Sequence, residues 1–278
     1  MSRCATVCVN SSTHITPIPP NSSGRTDRER QRGILNWNRP VWLRRVILPL
    51  LARHPLVDEI HVSHGREKTC FSYKSRHCEI IHRHDWDLND RYGLALRFVA
   101  AREARNDAVL LVDDDLVVPR RSITALKSYF DDAPYTLHGI FGRRIGPAYE
   151  YWYDGYERGE TPVVLTRCLM MNRSYADVFL EAEPSAADLI TRGSPKWNGE
   201  DIFLSLLSIR ESGTLPRAYD LPFKNVWRMH RGSISRTDVP HGDTEKLDHR
   251  AYRSWFTREA VRLLGVEAQI EHYLNGPT

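Results

Sequence analysis

An apolar run that ends in three adjacent acids constrains the fold of this chain more than any other feature. Residues 109–112 are Val, Leu, Leu and Val, and Asp113, Asp114 and Asp115 follow them directly, before the apolar residues 116–118. Consecutive apolar side chains bounded by charge predict a short buried strand, as found inside α/β sheets. The strand then ends at the three acids, which we call the aspartate triplet.

Three adjacent carboxylates call for a cation. Their mutual repulsion raises at least one pKa, and burying them without partners is costly in free energy. Hard cations such as Mg²⁺ and Mn²⁺ bind carboxylate oxygens and often keep one or two protein carboxylates, while phosphate oxygens fill other positions. The aspartate triplet therefore indicates a metal–diphosphate site at a strand end. A solvated acidic turn that caps the next helix is the alternative.

Strand-like and helix-like segments alternate along the chain. This alternation predicts an α/β fold with a mixed, mostly parallel sheet flanked by helices. Ligands bind such sheets outside the carboxyl ends of the strands, which is where the triplet falls. The predicted segments are a strand from residue 33, a helix over 41–54, strands over 58–65 and 78–85, a helix over 90–104 with Asp90 as its N-cap, a strand over 108–115, a helix over 119–134, a strand over 161–172, and helices from about Ser174 and Glu200.

Composition separates a tail from one globular domain. Residues 1–32 are rich in Ser, Thr and Pro and predict a disordered tail, whereas residues 33–278 have the composition of a single domain. The net charge of +4 gives no support for a nucleic-acid partner. No stretch reaches the ~18 apolar residues of a membrane span, and no signal-peptide core is present at the start. We therefore expect a cytoplasmic protein, or alternatively a Golgi or ER lumenal fragment that lacks its anchor.

Two enzyme classes place acids after an apolar strand. In nucleotide-sugar glycosyltransferases an Asp-x-Asp pair bridges metal and diphosphate. In aspartate-dependent phosphohydrolases the strand leads into Asp-x-Asp-x-Val, and "DDDLV" fits that spacing. The further phosphohydrolase motifs do not follow in order, and about 80 residues of predicted α/β structure precede the triplet. The glycosyltransferase is therefore the stronger hypothesis.

Three segments together resemble the exostosin-like glycosyltransferases. They are "NWNRP" (36–40), "LLVDDDL" (110–116) and "WNGEDIFLSLL" (197–207), and the resemblance covers about 33–255. It implies a single nucleotide-sugar binding domain of the GT-A type, a UDP-sugar donor, Mn²⁺ or Mg²⁺ as cofactor, and transfer with retention of configuration. It also implies a nucleotide-binding half over about 33–118 and an acceptor-binding half over about 119–278.

The resemblance assigns residues to the nucleotide-sugar and the metal. The positions that match the family's nucleotide-sugar contacts are Asn38, Arg39, Asn89, Asp90, Arg91, Asp113 and Asp114. Asp115 matches the metal ligand, and Asp113 is the second candidate ligand.

The resemblance also assigns the catalytic residues. Asp201 matches an acidic residue near the anomeric carbon, and a carboxylate in the first turn of a helix is held ionised by backbone N–H groups. Glu200 is expected to bind the acceptor hydroxyl. Arg253 matches an arginine that neutralises the leaving diphosphate, with Arg250 as second choice, although the loop before it departs from the family's pattern. Glu200 and Asp201 acting only as helix caps is the alternative.

The sequence thus predicts a metal-dependent glycosyltransferase. It moves a hexosamine or hexose from a UDP-sugar to a hydroxyl of a glycan or glycolipid. An inactive GT-A-like module that binds a nucleotide or glycan is the non-enzymatic alternative. The donor sugar, the acceptor, the linkage and the oligomeric state stay open.

Overall fold

The chain folds into a mixed α/β domain, as predicted. The computed structural model describes residues 4–9, 33–36, 39–186, 189, 198–226, 239–241, 245–247 and 249–276. A central sheet of nine strands, counted over the described residues, is covered by helices. None of the described helices is long and apolar enough to cross a membrane.

The elements follow the predicted alternation. The helices are α1 (Pro40–Trp42), α2 (Leu48–Ala52), α3 (Trp86–Tyr92), α4 (Leu96–Arg102), α5 (Arg120–Asp132), α6 (Ser174–Ala182), α7 (Glu200–Ser212), α8 (His249–Leu264) and α9 (Glu267–Asn275), with a π-helical turn, Leu43–Ile47, joining α1 to α2. The strands are β1 (Cys4–Val9), β2 (Gly33–Asn36), β3 (Glu59–His64), β4 (Glu79–His84), β5 (Ala108–Asp113), β6 (Leu116–Val117), β7 (His138–Gly139), β8 (Gly142–Arg143), β9 (Gly159–Glu160), β10 (Val163–Val164), β11 (Cys168–Asn172), β12 (Arg217–Ala218), β13 (Lys224–Asn225), β14 (Val239–His241) and β15 (Glu245–Leu247).

Strand β5 lies at the centre of the sheet and carries the aspartate triplet at its end. All six of its residues are buried. It pairs in antiparallel register with β11 on one side and with β1 on the other, where Asp113 is opposite Cys4. Asp113 is therefore the last residue of the strand, and Asp114 and Asp115 form the turn before β6. The predicted position of the triplet at a strand end is confirmed.

The strand directions are mixed. Strand β3 pairs in parallel with β2 and β4, and β3 and β5 run in the same direction because both are antiparallel to β1. Both direct neighbours of β5, however, are antiparallel to it. Strand β1 falls within the segment predicted as a disordered tail, so that expectation does not describe residues 4–9; residues 10–32 lie outside the described residues.

The helix predicted over 90–104 begins earlier and is divided. Helix α3 starts at Trp86, so Asp90 lies inside the helix and is not its N-cap, which was a wrong assignment. Gly93 ends α3 with φ of 50°, a conformation that favours glycine, and a 3-10 turn then leads into α4. Asp85, Asp87 and Asp90 could each cap a helix, and for this reason the predicted start of the helix was placed too late in the chain.

Helix α7 brings the second acidic segment to the triplet. Ten of its residues, from Glu200 to Ile209, are buried, so the helix runs through the core. Gly199 at its start packs against the ring of Phe256 on α8, where an added Cβ would lie 2.7 Å from ring carbons. This close approach fixes the start of α7 beside α8.

Candidate active site

The aspartate triplet is almost fully buried. Asp113, Asp114 and Asp115 are 2%, 1% and 3% exposed. The backbone holds the turn from both sides: the N–H of Asp113 donates to the carbonyl of Arg167, and the carbonyl of Asp115 accepts from the N–H of Val226. Buried carboxylates at this density need compensating charge.

Three arginines from separate parts of the chain supply that charge. Arg39 lies at the start of α1 and places Nη1 2.6 Å from Asp114 Oδ1 and 3.6 Å from Asp115 Oδ2. Arg167 precedes β11 and lies 3.4 Å from Asp113 and 3.2 Å from Asp115. The third, Arg97 of α4, is described below because it connects the triplet to α7.

Burial changes the proton affinity of the triplet. It raises the pKa of Asp114 to about 7, because desolvation and the neighbouring carboxylates outweigh the attraction of Arg39. Asp114 Oδ2 is buried without a hydrogen-bond partner among the described residues. The pKa of Arg167 is raised: burial lowers it, and Asp115 and Asp113 more than offset that effect. A further cation beside the triplet would lower this raised pKa of Asp114.

Arg97 links the triplet to the start of α7. Its guanidinium lies 4.0 Å from Asp113 Oδ1 and 3.4 Å from Glu200 Oε1, and it also donates to the hydroxyl of Thr166. That hydroxyl donates in turn to Glu200 Oε1 at 3.0 Å. Burial raises the pKa of Glu200, and the nearby Arg97 only partly opposes this. Glu200 is therefore poised to hold or release a proton near neutral pH.

Asp201 and Arg253 form a buried ion pair next to this link. Nη2 of Arg253 lies 2.6 Å from Oδ1 and 2.7 Å from Oδ2 of Asp201, and the N–H of Ile202 donates to Asp201 Oδ1 at 2.8 Å. The guanidinium carbon of Arg253 stands 4.4 Å above the ring of Tyr151. Burial lowers the pKa of Arg253, but Asp201 raises it well above the ordinary value. Arg253 is therefore charged.

The structure joins most of the predicted residues into one cluster. Asn38 lies outside the described residues. Asn89, Asp90 and Arg91 lie on α3, where Asp90 and Arg91 are exposed, and their assignment to the nucleotide stays a prediction. Ion pairs through Arg97 and Arg167 connect the predicted residues Arg39, Asp113, Asp114, Asp115 and Glu200. The predicted pair of Asp201 and Arg253 adjoins them, because Asp201 follows Glu200 directly in the chain.

Sequence reasoning missed Arg167 and Thr166, and it left open whether Arg97 replaces an arginine that the family places on the same helix. The one available signal for Arg167 was a single charge inside the otherwise apolar segment 161–172. Such a charge needs a partner when it is buried. The sequence did not show that the partner was the triplet, more than fifty residues earlier.

The carboxylates suit a cation that shares its ligands with a substrate. Among the described residues no group of three or more His, Cys, Asp or Glu side chains converges as a complete metal site. Asp113 and Asp115 do face the same guanidinium, that of Arg167. One or two carboxylates completed by phosphate oxygens is the arrangement that Mg²⁺ adopts at nucleotide sites. The donor set therefore fits such an ion.

Comparison with known proteins identifies the domain. Residues 35–274 match the glycosyl transferase family 64 domain. A segment of 132 residues is 24% identical to an Arabidopsis thaliana protein named glycosylinositol phosphorylceramide mannosyl transferase 1, covering 44% of this chain and 39% of that protein. The chain thus matches well under half the length of this relative. Both likenesses indicate glycosyl transfer.

Proposed function

Because the chain belongs to the glycosyl transferase family 64 domain family, we propose that it transfers a hexose or hexosamine from a UDP-sugar to a hydroxyl of a glycan or glycolipid, using Mn²⁺ or Mg²⁺. One observation carries the proposal. Within the described residues, the carboxylates of the triplet, Glu200 and Asp201 meet four arginines in one buried cluster at the end of β5. Such a cluster offers charges of both signs to a diphosphate and to a reacting sugar.

The donor diphosphate binds where Arg39 and Arg167 meet the triplet. Both guanidinium groups lie within 4 Å of Asp115, and guanidinium is well suited to phosphate oxygens. Asp115, with Asp113 as second ligand, holds the cation, which supplies positive charge to the diphosphate as it leaves. Arg167 has the more exposed side chain of the two, at 19%, against 6% for Arg39. Arg167 is therefore the more accessible of the two to the diphosphate.

Asp201 acts on the sugar. Breaking the bond between the anomeric carbon and the diphosphate leaves positive charge on the sugar ring, and UDP departs with the electron pair. A carboxylate stabilises that charge, and Arg253 holds the carboxylate of Asp201 in place through two hydrogen bonds. The oxygen of the acceptor hydroxyl forms the new bond to the anomeric carbon, and Glu200, fixed by Thr166 and Arg97, takes the hydroxyl proton. Retention of configuration is part of the proposal and rests on the family resemblance alone.

The name of the Arabidopsis thaliana relative suggests which donor sugars and which acceptors to test first. Its name specifies mannosyl transfer and a phosphorylceramide glycolipid. A nucleotide-activated mannose therefore belongs among the donors to be tested beside the UDP-sugars. A glycolipid acceptor is favoured over a soluble glycan for the same reason.

A donor-turnover assay tests the function. Release of free nucleotide from a panel of UDP-sugars and a nucleotide-activated mannose is measured with Mn²⁺, Mg²⁺ or a chelator. We expect release from at least one donor that requires the metal and falls sharply in Asp201→Asn. Asp107→Asn is the matched control, because Asp107 is 60% exposed on its side chain and lies outside the cluster. Nucleotide binding without turnover of any donor would support the inactive binding module instead.

A further inference from the structure

A groove outside the candidate active site has a cationic rim and an apolar floor. It encloses about 420 Å³ between α2, the start of α5 and the strand pair of β6 with β13. Its apolar lining includes Leu50, Val117 and Ile123, and its cationic lining includes Arg53, Arg120 and Lys224. Ligand sites commonly combine an apolar lining with a few placed charges.

Among the described residues the three cations have no carboxylate partner. Arg53, Arg120 and Lys224 are all exposed, and none forms an ion pair within the part of the chain that the structure describes. This differs from the other arginines discussed above, each of which faces an acid. Arg120 Nη2 donates to the carbonyl of Arg53 at 3.0 Å, which holds the guanidinium at the groove edge. The groove therefore presents uncompensated positive charge.

The segment that borders the groove combines basic residues with exposed apolar residues. Residues 33–57 contain four arginines and neither Asp nor Glu. On the helical segment that borders the groove, Val41 is 60% exposed and Leu50 is 50% exposed. Exposed aliphatic side chains among unpaired cations are typical of protein surfaces that lie in the interface of an acidic membrane.

We propose that this groove binds the headgroup of an anionic lipid and that its rim lies on an acidic membrane surface. The headgroup anion meets Arg53, Arg120 and Lys224, and the apolar floor takes the first carbons of the lipid. Leu50, half exposed at the groove, enters the interface. Charge complementarity favours an anionic occupant over a basic protein partner, because the groove lining contains three cations and no acid.

The backbone around the groove connects directly to the proposed reaction centre. Strand β6 begins one residue after Asp115, and Lys224 of β13 is opposite Val117. The N–H of Val226, just beyond β13, donates to the carbonyl of Asp115. A lipid in the groove would therefore hold the triplet within a short distance of the membrane, where a glycolipid acceptor resides. The proposal does not depend on the reaction, because lipid binding is measured without donor or acceptor.

Vesicle sedimentation tests the proposal with the full chain. The fraction of bound protein is measured on vesicles of phosphatidylcholine alone and of phosphatidylcholine mixed with phosphatidylserine. We expect binding to the mixed vesicles only. The triple variant Arg53→Gln, Arg120→Gln, Lys224→Gln should bind about 100-fold more weakly, since each cation near an acidic surface strengthens binding several-fold. Leu50→Gln should weaken binding about tenfold.

A second triple variant controls for net charge. Arg210→Gln, Arg217→Gln, Arg262→Gln removes the same three charges from exposed sites that do not line the groove. It should bind mixed vesicles like the unmodified protein, and all variants should keep the unmodified thermal midpoint. Equal losses in the two triple variants would overturn the proposal, because non-specific charge would then explain binding. Displacement by inorganic phosphate, at an ionic strength matched with sodium chloride, would also overturn it by identifying a site for soluble anions.

Discussion

The buried pair of Asp201 and Arg253 is the residue-scale feature on which the proposed chemistry depends. Removing one partner of a buried ion pair leaves an uncompensated charge and costs about 3–5 kcal/mol. We expect Asp201→Asn to lower the free energy of unfolding by that amount, measured by urea titration. We also expect donor turnover to fall about 100- to 1,000-fold, because the carboxylate that faces the developing charge is lost.

The double variant Asp201→Asn, Arg253→Met separates stability from catalysis. Without either charge, most of the lost stability should return, because the buried cation no longer lacks a partner. Donor turnover should stay low. If the double variant recovered turnover as well, Asp201 would have only a structural role.

A histidine cluster at the ends of β3 and β4 makes the stability of the fold depend on pH. The ring of His64 is buried and stacks against His82 and His84, and its Nε2 lies 2.8 Å from His82 Nδ1. Burial, followed by repulsion from His82 and His84, lowers the pKa of His64 from 6.5 to about 4. The folded protein therefore disfavours protonation of His64, so stability is full above pH 6.5 and falls as the pH drops from 6.5 towards 4.

Unfolding free energies measured across this pH range test the cluster. His64→Phe keeps a ring in place and removes the titrating group. Its stability should fall less steeply between pH 6.5 and pH 4 than that of the unmodified protein. Parallel curves for the two proteins would show that His64 does not carry the effect.

The sequence identified the acidic residues of the candidate site better than it identified the arginines that pair with them. The triplet was recognisable because charge follows directly on an apolar strand. Glu200 and Asp201 were assigned because the segment that they open resembles a segment of the exostosin-like family. Arg167 pairs with Asp115 across 52 positions of sequence, and such a pairing depends on how β11 lies beside β5. Local patterns carry no information of that kind.

The element that most directly positions the site is α7, and its start depends on a glycine. Gly199 has an extended φ of 178°, so its backbone would tolerate other residues. The packing around Gly199 would not tolerate a larger residue. A Cβ at this position would lie 2.7 Å from ring carbons of Phe256, and the side chain of Phe256 is fully buried. We expect Gly199→Ala to push α7 and α8 apart, lowering the free energy of unfolding by about 1–3 kcal/mol and reducing donor turnover.

A second substitution tests whether the contact with Phe256 causes the loss of stability. Adding Phe256→Leu to Gly199→Ala makes room for the new methyl group and should restore part of the stability. Urea unfolding of the single and double variants measures the difference. A Gly199→Ala protein as stable as the unmodified one would contradict the proposed contact.

Element identities were more predictable than element boundaries. Hydrophobic periodicity and a buried apolar run correctly indicated β3, β4, β5, α5 and α7. The start of α3 was missed because residues 85–90 include several acids that could each cap a helix. The antiparallel neighbours of β5 were also missed, because an inner strand is apolar on both faces whichever direction its neighbours run.

At the scale of the whole molecule, charge is divided between two places. In the described residues the arginines near the triplet face acids, whereas those at the groove do not. The overall charge of +4 conceals this division, which only the fold reveals. We therefore assign the region around the aspartate triplet to a diphosphate with its cation, and the groove to an acidic membrane surface.

The central claim is that the end of β5 binds a nucleoside diphosphate through a cation held by Asp115. Calorimetric titration of UDP into the protein, with and without Mn²⁺, tests it most directly when Asp115→Asn and the control Asp107→Asn are titrated alongside. The account predicts Mn²⁺-dependent binding that the control retains and Asp115→Asn loses. Binding of equal strength without Mn²⁺ and in Asp115→Asn, or no binding of UDP with any divalent metal, would contradict it.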